Sequence, residues 1–187
     1  MMFLLSKIMQ YKLILGMFCA GLYATSSLCI KASVLAAPLD LAAQQVQAEM
    51  RRVGQVRFTA PDFKPGTIRH MVMFRFKPQT TPAERFEVTK RFMELAELSH
   101  RMDGKKVILS LETGPQISGE NADIGLEQGY LVTFASEGDR NFYVGRPIVT
   151  DIRYFDPAHD AFKHFASAYI AQAVVFDFPV AMRGQPQ

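Results

Sequence analysis

Cysteine is scarce in this sequence, and both copies lie near the N-terminus. Cys19 and Cys29 are the only two among 187 residues, and both fall in a segment that we predict to be removed on export. A mature chain without cysteine has no disulfide, no thiol nucleophile and no cysteine-ligated metal. Tryptophan is absent as well, whereas 15 phenylalanines are available to build a core. Stability must therefore come from that core or from oligomerisation.

An excess of charge of one sign is also lacking outside the N-terminal segment. Residues 1–36 contain Lys7, Lys12 and Lys31 and no acidic residue, so the rest of the chain carries 18 basic and 18 acidic residues. Proteins that bind nucleic acids need a basic patch or stripe. A neutral remainder argues against that class, and we expect no nucleic-acid partner.

The first 36 residues have the layout of a secretory signal peptide. Lys7 and Lys12 precede an apolar run over residues 13–22, and small residues follow as far as Ala36. This order of charged, apolar and small-residue regions is typical of a signal that is cleaved on export. The run is short for a membrane span, so an uncleaved membrane anchor is the less favoured alternative. We therefore predict a periplasmic or secreted protein whose mature chain begins near Ala37.

Residues 37–65 are predicted to be a lead-in and linker ahead of the main domain. Residues 38–53 favour a helix by propensity, but their apolar stripe is thin and consists of Leu41, Val46, Met50 and Val53. This pattern favours a loosely attached helix or a disordered segment. Pro65-Gly66 marks the end of the linker. The domain proper is expected over residues 66–180, followed by a tail at 181–187.

A strand with one polar residue on its apolar face is the most informative local feature. Residues 68–77 alternate with a period of two, which predicts a β-strand. One side carries only apolar residues and a single histidine: Ile68, His70, Val72, Phe74 and Phe76. A buried imidazole needs a hydrogen-bond partner, or it lines a cavity. His70 therefore marks the first place to look for a site.

The remaining segments predict the element order β-α-β-β-α-β. Helices are expected to begin at Thr81-Pro82 and at Asp156-Pro157, where a capping residue is followed by proline. Three further strands are expected over residues 107–111, 129–135 and 173–178. This order predicts an α+β ferredoxin-like fold, in which an antiparallel sheet carries two helices on one face.

The sheet face opposite those helices is expected to mediate self-association. On the first strand that face carries Arg69, Met71, Met73 and Arg75, so half of it is apolar. The predicted elements leave no helix to cover it. An uncovered, half-apolar surface predicts a protein partner, and we expect a homodimer.

Residues 66–180 resemble the stress-responsive dimeric α/β-barrel (Dabb) family. The resemblance rests on several segments together: the first strand with its histidine, Ser110-Leu-Glu-Thr-Gly-Pro115, the strand over residues 129–136, Asp156-Pro-Ala-His159 and Val175-Phe-Asp-Phe178. It implies ferredoxin-like subunits whose sheets pack together as a dimeric α/β barrel. One plant member of the family is a polyketide cyclase that carries out an aldol condensation in a cavity between sheet and helices.

The same resemblance implies a set of candidate catalytic residues. His70 matches a strand histidine of that enzyme's pocket, His159 matches the histidine that ends its Pro-Ala-His motif, and Asp177 matches an aspartate in its last strand. Two tyrosines of that pocket correspond here to Phe92 and Arg153. An insertion around residues 145–155 is a further difference.

The residues themselves suggest related chemistry. His159 would lie in the first turn of a helix, where the positive end of the dipole disfavours an imidazolium, so we expect a neutral base. A carboxylate such as Asp177 beside either ring would fix its tautomer. Structural roles remain open: His70 bonded to a backbone carbonyl, His159 serving the helix terminus, and Asp177 capping a loop or pairing with Arg183.

Three functions therefore remain open. We expect an exported protein that binds a small apolar or carbonyl-containing ligand, without cofactor or metal, in a pocket lined by Val72, Phe74, Phe92 and Val175. An alternative is a small lyase or polyketide-cyclase-like enzyme with His159 as general base. A second alternative is a structural dimer without a site. A polar, water-accessible cavity that touches both histidines favours the enzyme, whereas a dry, filled one favours the structural dimer.

Overall fold

The structure is a computed structural model that describes residues 39–182 and Gly184. The predicted signal peptide at residues 1–36 lies outside the described residues, as do both cysteines, Arg183 and residues 185–187. Between residues 39 and 182, no helix has the combination of length and apolar character that is needed to cross a membrane.

Four strands form one antiparallel sheet. In chain order they are β1 (Pro65–Phe76), β2 (Ser110–Pro115), β3 (Gln128–Ser136) and β4 (Ile170–Pro179). Their order across the sheet is β2-β3-β1-β4, and every neighbouring pair is antiparallel. This is the α+β ferredoxin-like arrangement, so the predicted fold class is confirmed.

Among the described residues, four α-helices accompany the sheet: α1 (Leu41–Phe58), α2 (Pro82–Leu98), α3 (Glu137–Val144) and α4 (Pro157–Ala166). Thr81 and Glu84 form a reciprocal capping box at the start of α2, and the Asp156 side chain accepts a hydrogen bond from the Ala158 amide at the start of α4. Both predicted helix starts are confirmed. The helices begin there because the caps satisfy amide groups that have no partner inside the helix.

Strand β1 lies in the middle of the sheet and turns its apolar side towards the helices. His70, Val72 and Phe74 are all buried, at 3%, 5% and 4% exposure. They belong to one core with Phe92 of α2 and Phe162 of α4. The period-two pattern of the sequence therefore identified the buried face correctly.

The second strand lies later in the chain than expected. The prediction was residues 107–111, whereas β2 runs from Ser110 to Pro115. Val107 and Ile108 are buried in the core just before the strand begins. Pro115 is accommodated because β2 is an edge strand, where a missing N–H group breaks no essential ladder hydrogen bond.

The lead-in segment and the insertion build a second, smaller core. Helix α1 begins after its cap residue Asp40 and bends at Gly54, whose φ of 77° lies outside the helical region. Phe58, at the end of α1, packs with Phe63 and with two residues of the insertion, Val149 and Phe155. The end of α1 is therefore anchored by a buried aromatic cluster, which the thin apolar stripe of the sequence did not indicate.

Truncation of that anchor tests how firmly α1 is attached. We expect Phe58→Ala to lower the free energy of unfolding by roughly 3–5 kcal/mol, because it removes a fully buried aromatic side chain. The matched control is Val56→Ala on the same helix, since Val56 is 64% exposed. Urea denaturation measures both. Equal, negligible effects of the two substitutions would mean that α1 is only loosely attached.

Candidate functional site

A cavity of about 410 Å³ lies between the inner face of the sheet and helix α4. Its walls include both candidate histidines, His70 from β1 and His159 from α4. All four residues that the sequence analysis assigned to a pocket also line it: Val72, Phe74, Phe92 and Val175. Exposed side chains of Arg146 and Ser167 stand at its open side.

His159 is oriented by the turn that precedes α4 and by helix α3. Its Nδ1 lies 2.7 Å from the backbone carbonyl oxygen of Tyr143, and its ring stacks on the Tyr143 ring with centroids 3.9 Å apart. A carbonyl oxygen can only accept, so Nδ1 must carry the proton. The neutral ring then has its lone pair on Nε2.

Burial keeps His159 uncharged. Desolvation lowers the pKa of this imidazole to about 3, and the nearby charge of Lys163 acts in the same direction. The sequence analysis expected a neutral ring because of the helix dipole. The ring is neutral, but the main cause is the loss of water around a buried side chain.

His70 forms a hydrogen-bonded pair with Asp177. The two residues are directly opposite in the pairing of β1 with β4, and His70 Nδ1 lies 2.6 Å from Asp177 Oδ1. Burial acts to raise the pKa of Asp177, but the hydrogen bond from His70 and the charge of Arg140 outweigh it, so the pKa is lowered. The carboxylate is therefore ionised and accepts a hydrogen bond from the N–H group at His70 Nδ1.

Arg140 is a member of this cluster that the sequence analysis missed. Its guanidinium donates from Nη1 to Asp177 Oδ2, the oxygen that His70 does not use. The Arg140 side chain is only 14% exposed, so the ion pair is shielded from solvent. Residue 140 carries no local motif, and only the folding of α3 against β4 brings it to Asp177. The alternative partner, Arg183, lies outside the described residues.

Asp177, the third candidate catalytic residue, does not line the cavity. It lies behind His70 and faces a separate groove between α1 and β4. The reason is the position of its partner: the carboxylate binds Nδ1 of His70, on the side of the ring that faces Arg140 of α3. Asp177 is thus a supporting residue of the site rather than part of its wall.

Tyr143 is the second residue that the sequence did not reveal. It is fully buried, and its ring contacts both imidazoles, with centroid distances of 3.9 Å to His159 and 5.7 Å to His70. Burial and the Asp156 carboxylate raise the pKa of its hydroxyl well above the ordinary value. Arg153, which aligns with a pocket tyrosine of the plant cyclase, is exposed and paired with Asp151.

In the part of the chain that the structure describes, no three His, Cys, Asp or Glu side chains are grouped as metal ligands. Besides the polar side chains of Arg146, Lys163, Ser167 and Gln172, the cavity wall contains two imidazoles whose Nδ1 atoms are already committed to acceptors. Such a site can accept hydrogen bonds from a ligand or take up a proton.

The low pKa of His159 predicts a specific loss of stability in acid. The unfolded chain binds a proton at histidine near pH 6.5, whereas folded His159 does so only near pH 3. Between these values the unfolded state binds more protons, so the unfolding free energy should fall by up to about 1.4 kcal/mol per pH unit as pH decreases. Above pH 6.5 this contribution should be constant.

Chemical denaturation of wild type and His159→Gln between pH 7 and 4.5 measures this contribution, because other groups cancel in the difference. His164→Gln is the control, since His164 lies on the same helix but is exposed. We expect His159→Gln, and not the control, to flatten the pH dependence. Parallel curves for all three proteins would show that His159 titrates normally in the folded state.

The sequence matches a known domain family, and solved structures share its fold. Residues 68–180 match the family described as Stress responsive A/B Barrel Domain. A protein of Arabidopsis thaliana has a similar structure, with 19% identity, a TM-score of 0.51 and coverage of 63% of this chain and 99% of the other. A hydroxynitrile lyase from Passiflora edulis gives 18% identity, a TM-score of 0.51 and coverage of 65% and 99%. At these identities the structural likeness establishes the fold alone.

No curated protein matches the sequence. The family match extends over more than half of the chain. It covers strands β2, β3 and β4, most of β1 from Ile68 onwards, and the residues His70, His159 and Asp177. The chain therefore belongs to the stress-responsive A/B barrel domain family.

Proposed function

We propose that this domain binds a small, largely apolar molecule in the cavity between β1 and α4. The observation that carries the proposal is an open space of about 410 Å³ whose wall combines apolar side chains with two imidazoles. Ligand sites commonly have this composition, in which a few polar groups fix the orientation of a ligand held by apolar contacts.

The size of the cavity argues against a purely structural dimer. The cavity is open on one side, so water can enter it, but most of its lining side chains are apolar. An apolar ligand that displaces this water removes apolar surface from solvent, which is favourable. A ligand offers a reason for its presence that a structural role does not.

The pKa of His159 favours simple ligand binding over a reaction in which this ring acts as the general base. A general base works best when its pKa is near the working pH, whereas the pKa of His159 is about 3. A ring that resists protonation to this extent is a weak base. It remains a good acceptor of hydrogen bonds, because such a bond places no full charge in the cavity.

Acid–base catalysis is the second candidate, and the His70–Asp177 pair is the observation that favours it. A histidine whose Nδ1 is held by a carboxylate is the arrangement that general bases use. The similar structure from Passiflora edulis is a hydroxynitrile lyase, which makes a lyase the first reaction class to assay. A chemical change in a bound ligand, detected by mass spectrometry, would favour this candidate over simple binding.

Blocking the cavity tests the binding proposal. Propylbenzene serves as an apolar probe, and its saturable binding to the full domain can be followed by NMR chemical-shift changes. Ala173→Trp should abolish binding, because Ala173 is exposed on β4 and lines the cavity, so the new side chain enters the space without disturbing the core.

The matched control is Ala168→Trp, an exposed position nearby that does not line the cavity. We expect it to bind propylbenzene as the wild type does. Binding that survives Ala173→Trp would mean that the probe sits elsewhere, and no binding to any of the proteins would refute the proposed function.

We also propose that two copies associate through the outer face of the sheet. That face carries six apolar side chains on three adjacent strands: Met71, Met73, Leu131, Val174, Phe176 and Phe178. Phe176 is 60% exposed, and the helices that pack on the sheet lie against its other face. Pairing with a second copy would bury this apolar surface.

A charge at the centre of that face should prevent association. Met73→Glu would place an unpaired carboxylate in the interface, at a cost of several kcal/mol, and the variant should be monomeric by light scattering. Phe86→Glu is the control, because Phe86 is a 69% exposed apolar residue on helix α2, away from the sheet. It should leave the dimer intact, and a monomeric wild type at micromolar concentration would exclude this interface.

Export remains part of the proposal. It is supported by the order of charged, apolar and small residues over positions 1–36. In the mature protein, the domain would then be periplasmic or secreted and would begin near Ala37, only a few residues before helix α1.

A further inference from the structure

We infer that the ligand of this cavity carries a neutral hydroxyl group, of the phenol or enol class, that donates a hydrogen bond to an imidazole Nε2. The inference rests on the proposed function and specifies which polar group the ligand brings. It also separates two ligand classes that the sequence could not distinguish, because a carbonyl group would need a donor and a hydroxyl group needs an acceptor.

The tautomer of His159 is fixed by a partner that cannot donate. Its Nδ1 lies 2.7 Å from the Tyr143 carbonyl oxygen, and this oxygen has no proton to give. Nδ1 must therefore be the N–H donor. The ring is neutral because burial lowers its pKa to about 3, so its Nε2 carries a lone pair at every pH near neutrality.

The tautomer of His70 is fixed in the same way by a different acceptor. Asp177 accepts at Oδ1 from His70 Nδ1, 2.6 Å away, and at Oδ2 from Arg140. Nδ1 of His70 is therefore committed to this carboxylate, and Nε2 is the ring nitrogen that is left for a ligand.

Both Nε2 atoms are accessible from the cavity. Within residues 39–182, three side-chain atoms are buried without a hydrogen-bond partner: Ser99 Oγ, Tyr143 Oη and Asp156 Oδ2. Neither imidazole Nε2 is among these sealed atoms, and the hydrogen bonds of both rings use Nδ1. Since both residues line the cavity, their free acceptors face it.

Donors also line the cavity: Arg146, Ser167 and Gln172 belong to its wall, and Lys163 Nζ donates two of its three protons to the carbonyls of Val144 and Arg146, at 2.9 and 3.0 Å. At an imidazole Nε2, however, a ligand meets an acceptor, so a carbonyl group placed there would lose its hydrogen bonds to water. A hydroxyl in the same place satisfies an acceptor and keeps its own proton bonded.

A weakly acidic hydroxyl fits best on electrostatic grounds. Phenols and enols donate stronger hydrogen bonds than aliphatic alcohols, yet a phenol with a pKa near 10 stays neutral at pH 7. A neutral ligand avoids the cost of burying a charge in a largely apolar space.

The experiment compares ligands of nearly the same shape on the wild-type domain. Binding of 4-propylphenol, its methyl ether 4-propylanisole, and the ketone butyrophenone is measured by titration calorimetry at pH 7, with propylbenzene as the apolar reference. We expect the phenol to bind at least about tenfold more tightly than the ether or the ketone, the equivalent of one hydrogen bond.

Equal affinities for phenol, ether and ketone would overturn the inference while leaving the binding function intact. Preference for the ketone would overturn it as well, since that requires an imidazole N–H facing the cavity. Failure of all four molecules, propylbenzene included, would instead refute the proposed function, on which the inference depends.

Nitrogen NMR of the ¹⁵N-histidine-labelled wild-type protein reports the tautomer of each histidine directly. In the free protein, His70 and His159 should both show the Nδ1–H tautomer, and 4-propylphenol should shift the Nε2 signal of at least one ring. His159→Phe keeps a ring beside Tyr143 and removes an acceptor, so it should reduce the preference for phenol over ether. An Nε2–H tautomer at both histidines would contradict the inference directly.

Discussion

The antiparallel pairing of β1 with β4 is the interaction on which the site depends. It places His70 opposite Asp177 in register, and because side chains alternate along a strand, both point to the face that the helices cover. A shift of the register by one residue would move Asp177 to the opposite face of the sheet. The hydrogen bond that orients His70, and the ion pair with Arg140 behind it, would then be lost.

Burial controls the chemistry of the two histidines in different ways. His159 is neutral because it is removed from water and has only a carbonyl oxygen as partner, whereas His70 shares an ionised carboxylate with Arg140. Both arrangements commit Nδ1 to an acceptor and leave Nε2 facing the cavity. Two rings from distant parts of the chain thus keep the same ring nitrogen for a ligand.

The additional segments of this chain support the domain close to the site. Helix α1 and the insertion at residues 145–155 share an aromatic core, and Asn141 Nδ2 donates to the Phe58 carbonyl at 2.8 Å. Asn141 lies on α3 between Arg140 and Tyr143, the residues that position His70 and His159. Helix α1 and the insertion therefore brace the helix that orients both imidazoles.

Local patterns in the sequence determined the elements of the domain. Alternation identified β1 and its buried face, and capping residues followed by proline located the starts of α2 and α4, because these signals depend only on neighbouring residues. Tertiary structure decided the rest. The Asp177 partner Arg140, the contact of His159 with Tyr143, the attachment of α1 and the volume of the cavity all join segments far apart in the chain. Packing selects such pairs, and no periodicity encodes them, so the sequence named the histidines while the fold determined which of their nitrogens face a ligand.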